Sequence, residues 1–368
     1  MRILITGGSG FLGRRVVARA VAAGHDVRAL ARGDQAARTL RELGATDLRG
    51  DLDDPAGLAA AFLAADATAL VNLASLGFGH IGAILAATSA GHLHRAVFVS
   101  TTGIRTRLEP PTKRVRLAAE RAIEASGLDW TIIRPTMIYG GADDRNMARL
   151  LTLLAHLPAP PQPGRPPLPA GSGSSGRSGW SWRVGLPPIP VPVPGATHLH
   201  QPVHVDDLAA TVLRAVTAQR CVGQAYDVAG PWPLPLRDIV TAAGSALGRR
   251  VHPLSVPLGP ALLLAQRYER HAARPRLKAE QIARLAEDKA YDIGPARRDL
   301  GHQPRPFEAG IADQAAAMGL TTPHPAPAPA AGSASALTTV TAAAPPPRQE
   351  ARRGEGHRST PGRSGASS

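Results

Sequence analysis

The sequence predicts an α/β fold, in which a doubly wound parallel sheet is followed by a smaller C-terminal α/β domain of substrate-binding type. Three observations lead to this prediction. Over residues 1–156, short apolar runs alternate with alanine-rich stretches of helical length, which is typical of parallel strands joined by helices. A glycine-rich turn, TGGSGFLG, directly follows the first apolar run. Strand-like and helical stretches then return over residues 197–318.

In the first domain, six strands are predicted to alternate with five helices. The first helix is expected to end at Gly24 and the third to begin with Pro55, because proline suits the first helical position. The strands, in order, read RILIT, DVRALAR, TDLRGDL, ALVNLAS, RAVFVST and DWTIIRP. The helices between them read FLGRRVVARAVAAG, QAARTLREL, PAGLAAAFL, HIGAILAATSAG and residues 113–126.

Two segments have the composition of flexible chain. Residues 157–196 are dominated by proline, glycine and serine, so a flexible insert is predicted there. Residues 319–368 consist largely of alanine, proline, serine and threonine, and a disordered tail is predicted. Between them, residues 197–318 are predicted to complete the core and form the second domain. That region is expected to contain a helix capped by Asp206, the strand GQAYDVAG, and the helices PLRDIVTAAGSALGR and KAEQIARLAE.

The composition argues against several classes of protein. The single cysteine, Cys221, rules out an internal disulfide, and His198 and His200 lack a third ligand at metal-site spacing. The sequence shows no signal-peptide pattern and no apolar run near the roughly 18 residues of a membrane span, so a cytoplasmic protein is expected. The net charge of +14 comes without the basic and aromatic interleaving of nucleic-acid binders, so no nucleic-acid partner is expected.

The glycine-rich turn predicts a dinucleotide site. Gly7, Gly10 and Gly13 have the spacing GxxGxxG between a strand and a helix. Gly7 permits the tight turn, and Gly10 lets the backbone approach a pyrophosphate at the positive end of the helix. Gly13 lets that helix pack closely on the sheet. In this strand–turn–helix frame the motif indicates NAD or NADP as cofactor.

The end of the second strand favours NADP over NAD. Arg32 stands where this strand ends, and a guanidinium suits a ribose 2′-phosphate. Asp34 follows two residues later, and its carboxylate would instead accept hydrogen bonds from the ribose hydroxyls of NAD. After the third strand, Asp51 is expected to lie near the adenine.

Taken together, these features resemble the short-chain dehydrogenase/reductase superfamily, which has an NAD(P)-binding Rossmann fold. The greatest similarity is to its extended and atypical members, the NAD-dependent epimerase/dehydratases. The resemblance extends from Met1 to about Leu320 and is interrupted by the insert. It is carried by the stretches TGGSGFLG, VNLAS, FVSTT, SGLDWTIIRPTMIYG, QPVHVDDLA, GQAYDVAGP and DIGPARRDLG.

The resemblance implies further positions in the site. Pro135 would lie near the nicotinamide carboxamide. Catalysis in the family uses a Ser or Thr, a Tyr and a Lys, and the hydroxyl position falls on Thr102, with Ser100 and Thr101 beside it. The remaining dinucleotide contacts are expected at Phe11, Leu12, Leu52 and Ala74.

The tyrosine and the lysine of the family triad are missing from their usual helix. In relatives, the lysine precedes a helix glutamate by four residues, and the tyrosine precedes the lysine by four. If Glu120 is that glutamate, Arg116 takes the lysine position and Thr112 the tyrosine position. Arg116 can still hold a ribose, whereas an alcohol such as Thr112 has no pKa suited to proton transfer near neutrality. Lys113 is an alternative if the loop before it folds inward.

Two hypotheses for the function stay open. One is an NAD(P)-dependent oxidoreductase or a nucleotide-sugar epimerase/dehydratase-like enzyme, in which water or Lys113 donates or accepts the proton. The other is a non-catalytic NADP(H)-binding sensor, or an accessory or assembly subunit. The missing Tyr–Lys pair favours the non-catalytic protein. The C-terminal domain favours the enzyme, which would then act on a small-molecule substrate. Tyr139 and His204 are expected to have packing roles, and the substrate and the oligomeric state stay open.

Overall fold

A computed structural model describes residues 1–144, 146–158, 188–272 and 279–320. All of them belong to one compact unit, Met1–Pro323. Most of the proline-rich insert and the tail beyond residue 320 lie outside the described residues, so their predicted flexibility stays a prediction.

Strands and helices follow one another as the alternation of the sequence predicts. The described residues contain the strands β1 (Arg2–Thr6), β2 (Asp26–Ala31), β3 (Thr46–Arg49), β4 (Ala69–Asn72), β5 (Arg95–Val99), β6 (Asp129–Pro135), β7 (Ile138–Tyr139), β8 (Ile189–Pro194), β9 (Leu199–His200), β10 (Val203–His204), β11 (Gln224–Val228), β12 (Leu234–Pro235) and β13 (Val251–Val256). The helices are α1 (Phe11–Ala22), α2 (Asp34–Glu42), α3 (Pro55–Ala65), α4 (Ile81–Ala90), α5 (Pro111–Glu124), α6 (Met147–His156), α7 (Val205–Thr217), α8 (Leu236–Ala246), α9 (Leu258–His271), α10 (Ala279–Leu285), α11 (Gly294–Leu300) and α12 (Phe307–Ala317).

Seven parallel strands form the central sheet, in the order β11-β6-β5-β4-β1-β2-β3. The predicted doubly wound fold is therefore confirmed. From β1 the chain first builds β2 and β3 on one side, and it then crosses to β4 on the other, where Ile3 pairs with Ala69. Sheets of this type bind ligands beyond the carboxyl ends of the strands at such a reversal. The candidate site therefore lies where β1 and β4 end.

Helices cover both faces of the sheet. On one face, α1 and α7 pack together, with Val16 and Leu208 fully buried between helix and sheet. On the other face, α3, α4 and α5 bury Phe62 and Ile123. A separate apolar cluster joins α6, α8 and α12 with β8, and it forms the core of the smaller C-terminal α/β region.

One part of the segment predicted to be a flexible insert is a regular strand. The whole of β8 pairs in parallel with β13. Its sequence, IPVPVP, alternates, so that Val191 and Val193 are buried while Pro190 and Pro192 are exposed. Proline is tolerated at an edge strand because the positions that point away from the partner donate no hydrogen bond to it. The number of prolines in this segment does not predict a strand, whereas their alternation with valine does.

Two helix starts differ from the predicted positions. The helix predicted over residues 113–126 begins earlier, since Pro111 occupies its first turn. The cap predicted at Asp206 is wrong, because His204 is the N-cap residue and its Nδ1 accepts a hydrogen bond from the Asp206 amide at 3.3 Å. Asp206 instead lies in the first turn of α7, where a negative charge is favoured by the helix dipole.

In the described part of the chain, no helix is both long and apolar enough to cross a membrane. Among the same residues, no group of three or more His, Cys, Asp or Glu side chains is placed to hold a metal ion. Cys221 is a buried free thiol.

Candidate functional site

The glycine-rich turn lies directly against the end of β4. Gly7 has a positive φ of 69°, a conformation that costs other residues free energy. A Cβ at Gly7 would lie 2.8 Å from the amide nitrogen of Ala74. The end of β4 is fixed by the buried Asn72, which accepts a hydrogen bond from the Thr6 hydroxyl at 2.6 Å and donates one to the Ala74 carbonyl at 3.1 Å. The structure therefore brings Gly7 and Ala74 together.

The first turn of α1 offers free amide groups. The N-cap residue, Gly10, has no side chain to cap them, and the first bond of the helix runs from the Arg14 amide to the Gly10 carbonyl at 2.9 Å. The preceding amides of Phe11, Leu12 and Gly13 therefore have no partner within the helix. Gly13 packs on the backbone of the turn and leaves no room for a Cβ. A cradle of this kind fits a pyrophosphate.

Arg32 and Asp34, at the adenosine end, differ in their availability to a ligand. Arg32 is exposed beyond β2 and forms no ion pair with any described residue. Asp34 pairs with Arg49 of β3, and this hydrogen bond lowers the pKa of the Asp34 carboxyl. Asp51 and Leu52 follow β3 and are partly buried. Arg32 is thus the more available of the two side chains.

The ends of β5 and β6 meet at the predicted catalytic hydroxyl. Thr102 is buried and donates a hydrogen bond to the Pro135 carbonyl at 3.3 Å. The nearby Ser100 hydroxyl is also buried and has no hydrogen-bond partner. A buried hydroxyl without a partner costs free energy, and a ligand at this edge would relieve that cost. The edge therefore fits a polar ligand group.

An ion pair fixes the rotational position of α5 on the sheet. Glu120 is 3% exposed. Two nitrogens of the Arg134 guanidinium, in β6, donate to Oε2 of the Glu120 carboxylate. The distances are 2.7 Å from Nη2 and 3.1 Å from Nε. Glu120 thus fixes the rotation of α5 about its axis. That rotation determines where the predicted site residues Thr112 and Arg116 lie.

The same face of α5 presents Thr112 and Arg116. Nη1 of Arg116 donates to the Thr112 hydroxyl at 3.0 Å. Its guanidinium lies over Gly77, just beyond β4, where a Cβ would be 3.0 Å from the Arg116 Nε. Arg116 forms no ion pair with any side chain the structure describes, and burial, together with nearby Arg284, lowers its pKa. Since a guanidinium stays charged in proteins, Arg116 is a half-buried cation available to an anion.

Lys113 holds the loop that precedes α5. Its Nζ donates to the Thr106 carbonyl at 2.8 Å and pairs with the Glu109 carboxylate at 2.7 Å. These contacts tie the loop to the start of the helix. In this arrangement, Lys113 faces the loop instead of Thr102.

Tyr291, in the C-terminal region, is held through its backbone by the segment before β10, and the sequence does not single it out. Burial raises the pKa of its phenol. The Tyr291 amide donates to Oε1 of the buried Gln201 at 2.8 Å, and Nε2 of Gln201 donates to the Gly230 carbonyl at 2.8 Å. The only available signal was its position immediately before the stretch DIGPARRDLG.

Charged and polar groups surround Tyr291. The Asp227 carboxylate, at the end of β11, pairs with Arg105 at 2.8 Å, while its other oxygen is buried without a partner. Burial raises the pKa of Asp227. Elsewhere in this region, burial lowers the pKa of His200 to about 4, so its imidazole is neutral near neutral pH. Lys289 is half-buried near His200, and burial lowers its pKa.

Tyr139 and His204 pack against each other. Their rings meet edge to face, with centroids 5.2 Å apart, and both side chains are less than 5% exposed. Gly310 leaves space for the Tyr139 phenol, since a Cβ there would overlap it. The geometry therefore gives both residues a role in the packing between β7, α7 and α12.

A family model described as NAD(P)H-binding matches residues 7–152. The chain is 25% identical over 347 residues to a 2-alkyl-3-oxoalkanoate reductase of Stenotrophomonas maltophilia, and the match covers 83% of this chain and 95% of the relative. It is 29% identical over 150 residues to the photosystem II assembly factor Ycf39 of Trieres chinensis. That match covers 38% of this chain and 47% of the relative, so the chain spans about half the length of Ycf39.

In three dimensions, the chain is similar to a nucleoside-diphosphate-sugar epimerase from Pseudomonas aeruginosa. The TM-score is 0.63 at 16% sequence identity, and the superposition covers 87% of this chain and 99% of the epimerase. At this identity, the likeness is one of fold.

Proposed function

We propose that this chain, which has a matching NAD(P)H-binding family model and the fold of a nucleoside-diphosphate-sugar epimerase, is an NADPH-dependent reductase of carbonyl compounds in the extended branch of the short-chain dehydrogenase/reductase superfamily. The observation that carries the proposal is the polar edge at the ends of β5 and β6. There, the Thr102 hydroxyl donates to the Pro135 carbonyl, and the Ser100 hydroxyl, two residues earlier in the chain, is buried without a partner. A carbonyl oxygen bound at this edge would receive the hydrogen bond that the reaction needs.

The residues of the cradle would hold the dinucleotide. The free amides of α1 would bind the pyrophosphate, and Gly7 and Gly10 would let it approach the backbone. Arg116 would bind the nicotinamide ribose in place of the family lysine, since it is a half-buried cation without an ion-pair partner among the described residues. When bound, the nicotinamide supplies a hydride to the substrate carbon.

Arg32 is expected to select NADPH over NADH. Replacing Arg32 with alanine should weaken NADPH binding by about 10–100-fold, since hydrogen bonds to charged groups contribute about 1.5–3 kcal/mol. NADH binding should change little, because NADH has no 2′-phosphate. Titration of both cofactors by calorimetry measures the two effects.

The matched control is Arg38→Ala, which removes an exposed arginine of α2 that already donates to Gln35 at 2.8 Å. This variant should bind both cofactors much as the wild type does. An equal loss of NADPH and NADH affinity in Arg32→Ala would contradict the assignment of Arg32 to the 2′-phosphate.

The proposed substrate class is a carbonyl compound that carries an acidic group, such as a 3-oxo acid. Lys289 is half-buried, its ammonium donates to the Arg284 carbonyl, and it forms no ion pair with any described residue. A cation in that setting gains stability from a carboxylate. The similar reductase is named for a 3-oxoalkanoate, which agrees with this class.

The proposal is tested by following NADPH oxidation with a 3-oxo acid, its methyl ester and a nucleotide sugar. The acid should be reduced with a higher kcat/KM than the ester, and Lys289→Met should reduce that difference. NADPH binding without oxidation by any of the three would reject the reductase. An absence of NADPH binding would reject the cofactor assignment as well.

The second candidate function is a non-catalytic NADPH-binding accessory or assembly subunit. It is favoured by two adjacent leucines of α9, Leu263 and Leu264, which are 67% and 69% exposed. Exposed apolar side chains of this kind often mark protein interfaces. The partial similarity to an assembly factor points the same way.

A further inference from the structure

We propose that helix α9 docks the protein onto the surface of an anionic lipid bilayer. The lipid would cover four exposed residues of the helix, Leu263, Leu264, Arg267 and Arg270, which together form the α9 face. The inference does not rest on the reductase activity, so the result of the NADPH oxidation assay neither supports nor rejects it.

The helix α9 turns its larger apolar side chains away from the protein. Its small residues Ala261 and Ala265 are only 9% and 4% exposed, and they pack with Ile282 of α10. Leu263 and Leu264, by contrast, are 67% and 69% exposed. A helix on the surface of a globular protein ordinarily does the opposite, because burying the larger side chains removes more apolar area from water. We therefore expect a partner that covers the α9 face.

Basic side chains lie among these leucines. Helix residues four apart are neighbours, so Arg267 lies beside Leu263, and Arg270 follows three residues later. Both arginines are exposed. The one acid in the helix sequence, Glu269, is less exposed, and its carboxylate accepts a hydrogen bond from the Ala279 amide at 3.1 Å. The α9 face is thus both apolar and positively charged.

The sequence directly after the helix adds to this charge. Positions 273–278 read ARPRLK, with three basic residues and no acid. They lie outside the described residues, so their charge is a property of the sequence alone. Together with Arg267 and Arg270, five basic residues fall within positions 267–278. Clusters of this size on or beside an amphipathic helix are typical of segments that bind anionic lipids.

The helix is too short to cross a bilayer, so it would lie along the surface. Its 14 residues span about 21 Å at a rise of about 1.5 Å per residue, whereas the hydrocarbon core is about 30 Å thick. Leu263 and Leu264 would enter the boundary between the headgroups and the acyl chains. The arginine side chains are long enough to extend from the same face to the lipid phosphates.

Charge argues against the occupants that the chain itself could provide. Residues 159–187 contain three arginines and no acid, and residues 321–368 contain five arginines and two glutamates. Either segment would bring further positive charge to the α9 face. A second copy related by a two-fold axis would match this face with itself, and its arginines would then meet arginines. An anionic surface is therefore the occupant that charge complementarity favours.

The binding test uses sedimentation of the full-length protein with lipid vesicles. Vesicles of equal parts phosphatidylcholine and phosphatidylglycerol should bind the protein at least about tenfold more tightly than phosphatidylcholine alone, because each basic residue near an anionic surface adds attraction. Leu263→Ser combined with Leu264→Ser should weaken binding to the mixed vesicles at least about tenfold, because apolar side chains no longer enter the lipid. Arg267→Gln combined with Arg270→Gln should weaken it by about the same factor.

The matched control is Leu63→Ser combined with Leu153→Ser. These leucines belong to α3 and α6 and are 59% and 57% exposed. The control removes similar apolar surface and leaves the net charge unchanged, so it should bind the mixed vesicles as the wild type does. All of these variants replace exposed residues, and their melting temperatures should stay close to that of the wild type.

A second readout locates the contact on the protein. The chain has one cysteine, Cys221, and it is buried, so a thiol-reactive dye attached to the variant Leu263→Cys reports on α9. If the dye is sensitive to polarity, its emission should shift to the blue when mixed vesicles are added. The same dye on Leu63→Cys should keep its emission.

Four results would overturn the inference. Equal vesicle binding by the two serine double variants would assign the attraction to the basic segments outside α9. A blue-shifted dye at Leu263→Cys before vesicles are added would show that the chain covers this face itself. A dimer in solution that Leu263→Ser with Leu264→Ser disrupts would assign the face to a second copy. A wild type that binds neither kind of vesicle would reject the lipid and leave the face to a protein partner.

Discussion

Replacing Gly13 with alanine is expected to lower the free energy of unfolding by about 1–3 kcal/mol, the usual cost of overpacking, and to weaken NADPH binding at least tenfold. Gly13 lies on the backbone of Gly7 and Gly8, and a Cβ at this position would overlap that backbone. Backbone atoms cannot rotate away as a side chain does, so α1 must move off the turn. The amides that would bind the pyrophosphate then lose their alignment.

The matched control is Gly82→Ala, which also changes a helical glycine. Gly82 lies in α4 with no atom within 4 Å of its added Cβ. Alanine should therefore stabilise the helix there, by up to about 1 kcal/mol. Chemical denaturation measures both stabilities, and calorimetry measures NADPH binding. A Gly13→Ala variant with wild-type stability and affinity would contradict the cradle.

Replacing Glu120 with alanine is expected to cost about 3–5 kcal/mol of unfolding free energy, because breaking a buried ion pair leaves one charge without its partner. The Glu120 and Arg134 side chains are 4% and 15% exposed. Without the carboxylate, Arg134 would stay half-buried beside β6 with no partner for its guanidinium. Since the pair fixes α5, NADPH binding through Arg116 should weaken too. Denaturant unfolding and a cofactor titration measure the two losses.

The comparison variant is Glu109→Ala, which breaks the pair with Lys113 at the surface. Glu109 is 59% exposed, and exposed pairs contribute about 0–1 kcal/mol. A double change, Glu120→Leu with Arg134→Leu, should recover much of the lost stability, because removing both charges leaves neither uncompensated. Equal losses in Glu120→Ala and Glu109→Ala would show that burial does not strengthen the inner pair.

The cofactor half of the site could be predicted from local sequence. Gly7, Gly10 and Gly13 lie in one turn and the start of the helix that follows it. Their spacing in the sequence is therefore enough to predict how the turn is shaped. The helix residues Thr112, Arg116 and Glu120 are four apart, and the regular helical period places them on one face. The bond between Arg116 and Thr112 agrees with that expectation.

Local sequence patterns do not predict contacts between residues that are distant in the chain, and the proposed substrate half of the site depends on such contacts. The sequence predicts Lys113 as a candidate because it lies at the start of α5, but its contacts are with Thr106 and Glu109. Composition does not predict the strand β8, because prolines dominate this segment, although its valines are buried.

The sequence by itself determined the doubly wound fold, the glycine-rich turn between β1 and α1, and the absence of a tyrosine and a lysine at positions 112 and 116. These features depend on periodic spacing within single strands, turns and helices, which the chain carries locally. Only the tertiary structure decided that Arg32 is available while Asp34 is paired, and that Thr102 reaches the Pro135 carbonyl at the end of β6. Those relations join residues from different elements, and they exist only once strand order and helix packing bring the ends of β5, β6 and β11 to one edge of the sheet.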